Sequence, residues 1–162
     1  MQQHTQNGSH PHGRGAYARF FAMIATSTAV MYALTYLNTY EASHIQWSEM
    51  RAYMALLMGA AMAVVMLSFM WGMHRSVRSN LAIYAGSAVV FAGALWLVRS
   101  QTTVQDVSYM RAMIPHHSIA ILTSERAEIT DPRVRELADA IIETQKREIA
   151  EMEALIEDLR SR

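Results

Sequence analysis

Apolar residues run in long, nearly charge-free blocks through the first hundred positions, then give way to a periodic mixture of apolar and charged residues. Three blocks, Phe20–Tyr40, Ala52–Met73 and Leu81–Val98, contain no charged residue. Each approaches the roughly 20 helical residues that a hydrocarbon core of about 30 Å demands. The connections, around Glu41–Arg51 and His74–Asn80, suit three helices running up, down and up. Beyond residue 100, two segments carry helical spacing, Val104–Glu128 and Pro132–Arg160. In the second, Val134, Leu137, Ala138, Ile141, Ile142, Ile149, Met152, Leu155, Ile156 and Leu159 repeat with the period of a helix. Asp131 is placed to cap that helix, and Pro132 suits its first position. Pro115 should kink the preceding helix or mark a restart. No strand pattern emerges. The expected fold is all-α, with three transmembrane helices followed by an extramembrane antiparallel helical hairpin.

The expected organisation is a disordered arm over residues 1–15, a three-span region over 16–99 (spans about 20–40, 52–73 and 81–98), and a hairpin domain over 103–160. Arg14 and Arg19 could head a signal peptide, but no convincing small-residue cleavage site follows the first block, so it reads as a span. Charge divides the same way. The first hundred residues hold six Arg and two acids; the remainder holds seven Arg, one Lys and twelve acids. The chain as a whole is neutral, which argues against a nucleic-acid partner and leaves the lipid bilayer as the implied surroundings. Arg14, Arg19, Arg75 and Arg78 flank one side of the spans, against Arg51, Arg99 and Arg111 on the other. The positive-inside rule then puts the N-terminus in the cytoplasm. In a bacterium the hairpin would be periplasmic, attached to the inner membrane. The absence of cysteine excludes disulfides, thiolate zinc sites and a cysteine nucleophile.

Thirteen methionines and seven histidines are the compositional anomaly. Met50, Met54, Met58, Met62, Met66 and Met70 recur every fourth residue, forming a ridge that drifts about 40° per step around its helix. Such a row is either adaptable packing or a path of soft thioether ligands. Ala55, Gly59 and Ala63 form a neighbouring small-residue ridge suited to close helix packing. In the tail, Asp106, Met110, Met113 and His117 fall within roughly 60° on one helical face, with His116 beside them. Gln145, Glu148 and Met152 form a second face on the other helix. With the turn centred near residues 130–131, His117 should meet Thr144 or Gln145, and Met113 should meet Glu148. Thioether and imidazole together imply copper, Cu(I) in preference to Cu(II), with zinc less suited because it would not use the methionines. The competing reading makes Met110, Met113 and Met152 core residues. His4, His10 and His12 in the arm are better read as part of a flexible tail than as a site.

The segment Asp106…Met110…Met113-Ile114-Pro115-His116-His117…Ala120, followed by Arg135…Ala138…Ile142…Gln145…Glu148-Ile149…Met152, resembles the family catalogued as domain of unknown function 305. The resemblance covers about residues 103–160. It implies a ferritin-like half-bundle and, from members tied to copper binding and tolerance, a copper site at Met110, Met113, His116 and His117 with Gln145, Glu148 and Met152 opposite. Many members have two hairpins, whereas this chain has one. The spans are more loosely similar to three-span eukaryotic copper transporters, which carry Met at spacing four.

The leading expectation is an inner-membrane copper-binding protein that sequesters or hands on copper. The rivals are a Cu(I) transporter using the Met ridge and a structural membrane module without metal. An enzyme is not expected, since the tail lacks the Glu-x-x-His elements of ferritin-like oxidases and any nucleotide motif. A single hairpin cannot bury all its apolar positions, so a homo-oligomer, dimer or trimer, is expected.

Overall fold

The computed structural model describes residues 12–74 and 76–162, the first three as backbone only. These fold into five α-helices with no strand: α1 (His12–Leu34), α2 (Glu49–Phe69), α3 (Val77–Ser100), α4 (Asp106–Arg126) and α5 (Pro132–Ser161). Short 3₁₀ turns follow at Ala42–His44 and Trp71–Met73. Three helical stretches, Gly15–Leu34, Glu49–Phe69 and Val77–Ser100, are long and apolar enough to cross a membrane. Residues 1–11 of the expected arm, with His4 and His10, lie outside the described residues. Residues 12–15 are helical rather than part of a disordered arm.

The first helix lies N-terminal to the expected span of about 20–40. It stops at Leu34, where hydroxyls and a guanidinium take carbonyls of its last turn and of the residues just beyond it. Thr35 Oγ1 donates to the Tyr32 carbonyl at 2.6 Å, and Thr39 Oγ1 to the Tyr36 carbonyl at 2.9 Å. Arg51 donates to the Thr35 carbonyl and stacks 4.3 Å from the Tyr36 ring centroid. Hydrophobicity alone could not locate that stop. The second and third helices begin earlier than their apolar blocks, at Glu49 and Val77. Ser48 and Ser76 cap them by accepting from the amides of Arg51 and Ser79, each at 3.3 Å. The α2 helix ends at Phe69, and the chain turns through Trp71–Met73 in place of a continuous helix to residue 73. At the end of α3, Gln101 takes a left-handed conformation (φ 55°), and its side chain donates to the Val98 carbonyl at 2.6 Å.

The α2 helix is central and packs most extensively on α3, with α1 on its other flank. Its buried residues are Ala55, Gly59, Ala60, Ala63 and Leu67. A Cβ on Gly59 would lie 2.5 Å from Thr28 Oγ1. Close approach of α1 and α2 therefore depends on that glycine. A groove of about 1370 Å³ opens between α1 and α3, floored by Ala52, Ala55 and Gly59.

The α4 and α5 helices form the hairpin. Asp131 caps α5 by accepting from the Arg133 amide at 2.9 Å. The α4 helix runs through Pro115 with no restart. The hairpin core consists of Met110, Ile114, Ile121, Ile149 and Ile156, with Tyr40, Val107, Ile142 and Met152 packed against it. Tyr40 comes from the α1–α2 loop. That loop clamps the hairpin to the spans: the Tyr40 amide donates to Ser118 Oγ at 2.7 Å, and the Tyr40 hydroxyl donates to Glu125 at 3.2 Å.

Candidate metal centre

His117 stands on the α4 face predicted to bear ligands, and the backbone fixes its tautomer. Its Nδ1 lies 3.0 Å from the Met113 carbonyl, one turn earlier. A carbonyl only accepts, so Nδ1 carries a proton, and Nε2 is the ring nitrogen left to take a second proton or a metal ion. That Nε2 lies 2.8 Å from Glu148 Oε2, itself an acceptor when ionised. Two acceptors at hydrogen-bond distance need a cation between or beside them, whether a proton or a metal ion. A carbonyl holding Nδ1–H while Nε2 faces outward is the usual arrangement of a metal-ligating histidine. The ring is nearly enclosed, with 12% of the side chain exposed, whereas Glu148 is 41% exposed. Gln145 Nε2 donates weakly to the same carboxylate oxygen at 3.5 Å.

A pocket of about 650 Å³ opens beside this pair. His117, Glu148, Met110, Met113 and Met152 line it, with Asp106 also at its wall. Six of the eight predicted tail residues therefore share one pocket. Met110 is also a buried member of the hairpin core and Met152 packs beside it, so packing accounts for part of their placement. His116 and Gln145 do not line the pocket. His116 points to solvent on the neighbouring face, its ring centroid 6.2 Å from that of His117. Among the described residues, no group of three or more His, Asp or Glu side chains could hold a metal ion. Without sulfur, the donor set falls short of the four ligands of an ordinary zinc site.

The pairing differs from the expected one by about a turn: His117 faces Glu148, not Gln145 or Thr144. The reason is side-chain direction. Helical side chains lean toward their own N-terminus, so in an antiparallel hairpin His117 leans away from the turn and Glu148 toward it. Pairing by Cα height ignores both displacements.

Nothing in the sequence pointed to His44 and Ser118. Ser118 is fully buried directly after His117, and His44 is buried in the Ala42–His44 turn. His44 Nδ1 meets Ser118 Oγ at 2.9 Å. Glu125 and Lys146 form a second link at 3.1 Å beneath Tyr40. The hydrogen bond from Lys146 holds the Glu125 carboxyl below its usual range, and Glu125 raises Lys146 in return.

The methionine row of α2 is dispersed. Met50 sulfur accepts from Gln101 Nε2 at 3.8 Å, Met54 faces outward, and Met58, Met62, Met66 and Met70 are half-buried. Met66 packs against the cluster of Phe20, Ala63 and Leu67. None of the six lines the groove between α1 and α3.

Residues 98–162 match the family described as Domain of unknown function (DUF305). A relative named "Uncharacterized protein L153", from Acanthamoeba polyphaga mimivirus, is 32% identical over 108 residues. The alignment covers 65% of this chain and 69% of that protein. The chain belongs to the DUF305 family. No solved structure matches it. The DUF305 segment takes in both hairpin helices and every pocket residue named above, and the alignment with the viral relative is longer than that segment, so it reaches into the spans.

Proposed function

We propose that this DUF305 protein is anchored in a bacterial inner membrane and binds Cu(I) in its hairpin, holding the ion or handing it on in copper homeostasis. The observation that carries the reading is the His117 imidazole, held by the Met113 carbonyl with its Nε2 against Glu148, at the wall of a pocket that Met110, Met113 and Met152 also line. One nitrogen and several thioethers form a donor set that favours a soft monovalent ion. Glu148, 2.8 Å from His117 Nε2, would offer an oxygen donor to the oxidised ion. Asp106, Gln145 and the exposed His116 are peripheral in this reading.

The N-terminus is cytoplasmic and the hairpin periplasmic. The contact of Tyr40 with Ser118 supports placing the α1–α2 loop and the hairpin on one side, and the distribution of arginines sets which side that is. Passage of copper along the α2 methionines has less support, because the row faces no common groove. The direct test is a competition titration of the detergent-solubilised full chain with a chromogenic Cu(I) chelator. His117→Ala should weaken the tightest site by at least about tenfold, and Met110→Leu with Met113→Leu should weaken Cu(I) more than Zn(II). Equal Cu(I) affinity in all three proteins would remove the assignment.

A further inference from the structure

The groove between α1 and α3 has one polar end, at Tyr17 and Ser79. There the Tyr17 hydroxyl donates to Asn80 Oδ1 at 2.7 Å and ties α1 to the first turn of α3. Ser79 Oγ meets Ser76 Oγ beside it at 2.9 Å. From this mouth the α3 wall extends only to Val90, a rise of about 16 Å, roughly half of a hydrocarbon core of about 30 Å. The α1 wall reaches the same depth at Thr28 and continues alone to Tyr32. The groove is therefore walled on both sides through one leaflet. Its lining is apolar and low, with Ala25, Ala60, Ala82 and Gly86 between Phe21 and Ile83. A Cβ on Gly86 would meet nothing within 4 Å, so the space before α3 is open. Charge is one-sided. In sequence, Arg14, Arg19, Arg75 and Arg78 all fall near the mouth, whereas the two acids of the first hundred residues, Glu41 and Glu49, lie in the α1–α2 loop and at the start of α2, the other end. Arg78 adjoins Ser79 and is exposed, and every ion pair among the described residues belongs to the hairpin.

We infer that this groove holds an anionic phospholipid from the leaflet on the arginine-rich side, with its acyl chains between α1 and α3 and its phosphate at the mouth beside Arg78. Acyl chains need no hydrogen-bond partner, so an apolar trough one leaflet deep suits them. Charge selects the headgroup. Arginines without a neighbouring acid leave a positive field at the membrane surface, and basic pockets between spans take anionic headgroups for that reason. A zwitterionic lipid offers the same chains without the net charge. A second copy of this chain, inserted in the same direction, would bring its own arginines to the same level and add like charge at the mouth. The inference rests on the spans lying in a bilayer and is independent of copper in the hairpin.

Native mass measurement of the full chain in detergent tests this with dioleoylphosphatidylglycerol and dioleoylphosphatidylcholine, which share their chains and differ in headgroup charge. The wild type should retain the anionic lipid in preference to the zwitterionic one. Arg78→Gln should cut that preference about fivefold, while Arg99→Gln, at the far end of the same helix, should leave it unchanged. Gly86→Leu fills the groove from a position with free space and should abolish retention of both lipids. Equal retention of the two lipids, retention untouched by Gly86→Leu, or equal effects of the two arginine substitutions would overturn the proposal. A change of subunit number in Gly86→Leu would also overturn it, by giving the groove to a second copy. His117→Ala should alter none of these results, so failure of the lipid site is read apart from failure of the copper site. A chain that stays dispersed once detergent is removed would contradict the membrane placement itself, and this site with it.

Discussion

His44 Nδ1 lies 2.9 Å from Ser118 Oγ, 74 residues apart in the chain and one residue beyond the pocket imidazole of His117. The same hydroxyl accepts the Tyr40 amide, so one buried oxygen ties the α1–α2 loop to α4. Replacing Ser118 with Ala would leave the Tyr40 amide and the His44 nitrogen without their partner, a loss of about 1–3 kcal/mol in local stability. Hydrogen exchange of the Tyr40 amide in the full chain should accelerate by about five- to 150-fold. Unchanged exchange would mean that the loop is held by its aromatic contacts alone.

Gly59 and Thr28 set the separation of α1 and α2. Gly59→Val should force the helices apart and destabilise the spans by about 1–3 kcal/mol, as overpacking does elsewhere. In Gly59→Ala the new methyl meets only the Thr28 side chain, so adding Thr28→Ala should restore most of the loss. Thermal unfolding of the two single variants and the double variant in detergent measures the coupling. Strict additivity would contradict the contact.

The Glu125–Lys146 pair beneath Tyr40 has a defined acid response. Lys146 holds the Glu125 carboxyl below its ordinary value of 4.5. A carboxylate depressed by folding contributes fully above its unfolded pKa and loses that contribution as pH falls through the lower folded value. The Tyr40 ring resonances should therefore titrate with a midpoint below 4.5. Glu125→Gln should abolish the movement. A midpoint at or above 4.5, or an unaltered transition in Glu125→Gln, would contradict the network.

The hairpin was legible in the sequence because period 3.6 and the Asp131-Pro132 start are local signals, and the face bearing Met110, Met113 and His117 follows from the same period. The register was not legible, because the lean of His117 and Glu148 along their helices moves the contact by about a turn. The end of α1 was equally hidden. Arg51, 16 residues beyond Thr35, and the hydroxyls of Thr35 and Thr39 take the carbonyls of Thr35, Tyr32 and Tyr36 around that end, and none of this alters hydrophobicity. Ser118 reads in sequence as an ordinary small residue of a helix. Its role comes from two partners more than 70 residues away.

The surface of the hairpin leads to an expectation about assembly. The Tyr40 loop covers part of the core, yet Leu137, Val134, Leu155 and Tyr109 remain exposed. A second hairpin packed on that face would bury them and form a four-helix bundle. Native mass measurement of the protein released from detergent should give a dimer or a trimer, and Leu137→Glu with Leu155→Glu should shift it toward monomer. A monomeric wild-type protein with full Cu(I) affinity would contradict a shared bundle.

X-ray absorption at the copper edge tests the hairpin assignment most directly. The full chain, reduced and loaded with less than one equivalent of Cu(I), should show a mixed shell of nitrogen and sulfur scatterers. His117→Ala should remove nitrogen from that shell, and Met110→Leu, Met113→Leu and Met152→Leu together should remove sulfur. A shell of nitrogen and oxygen alone, or one that none of these substitutions alters, would contradict copper binding in the hairpin.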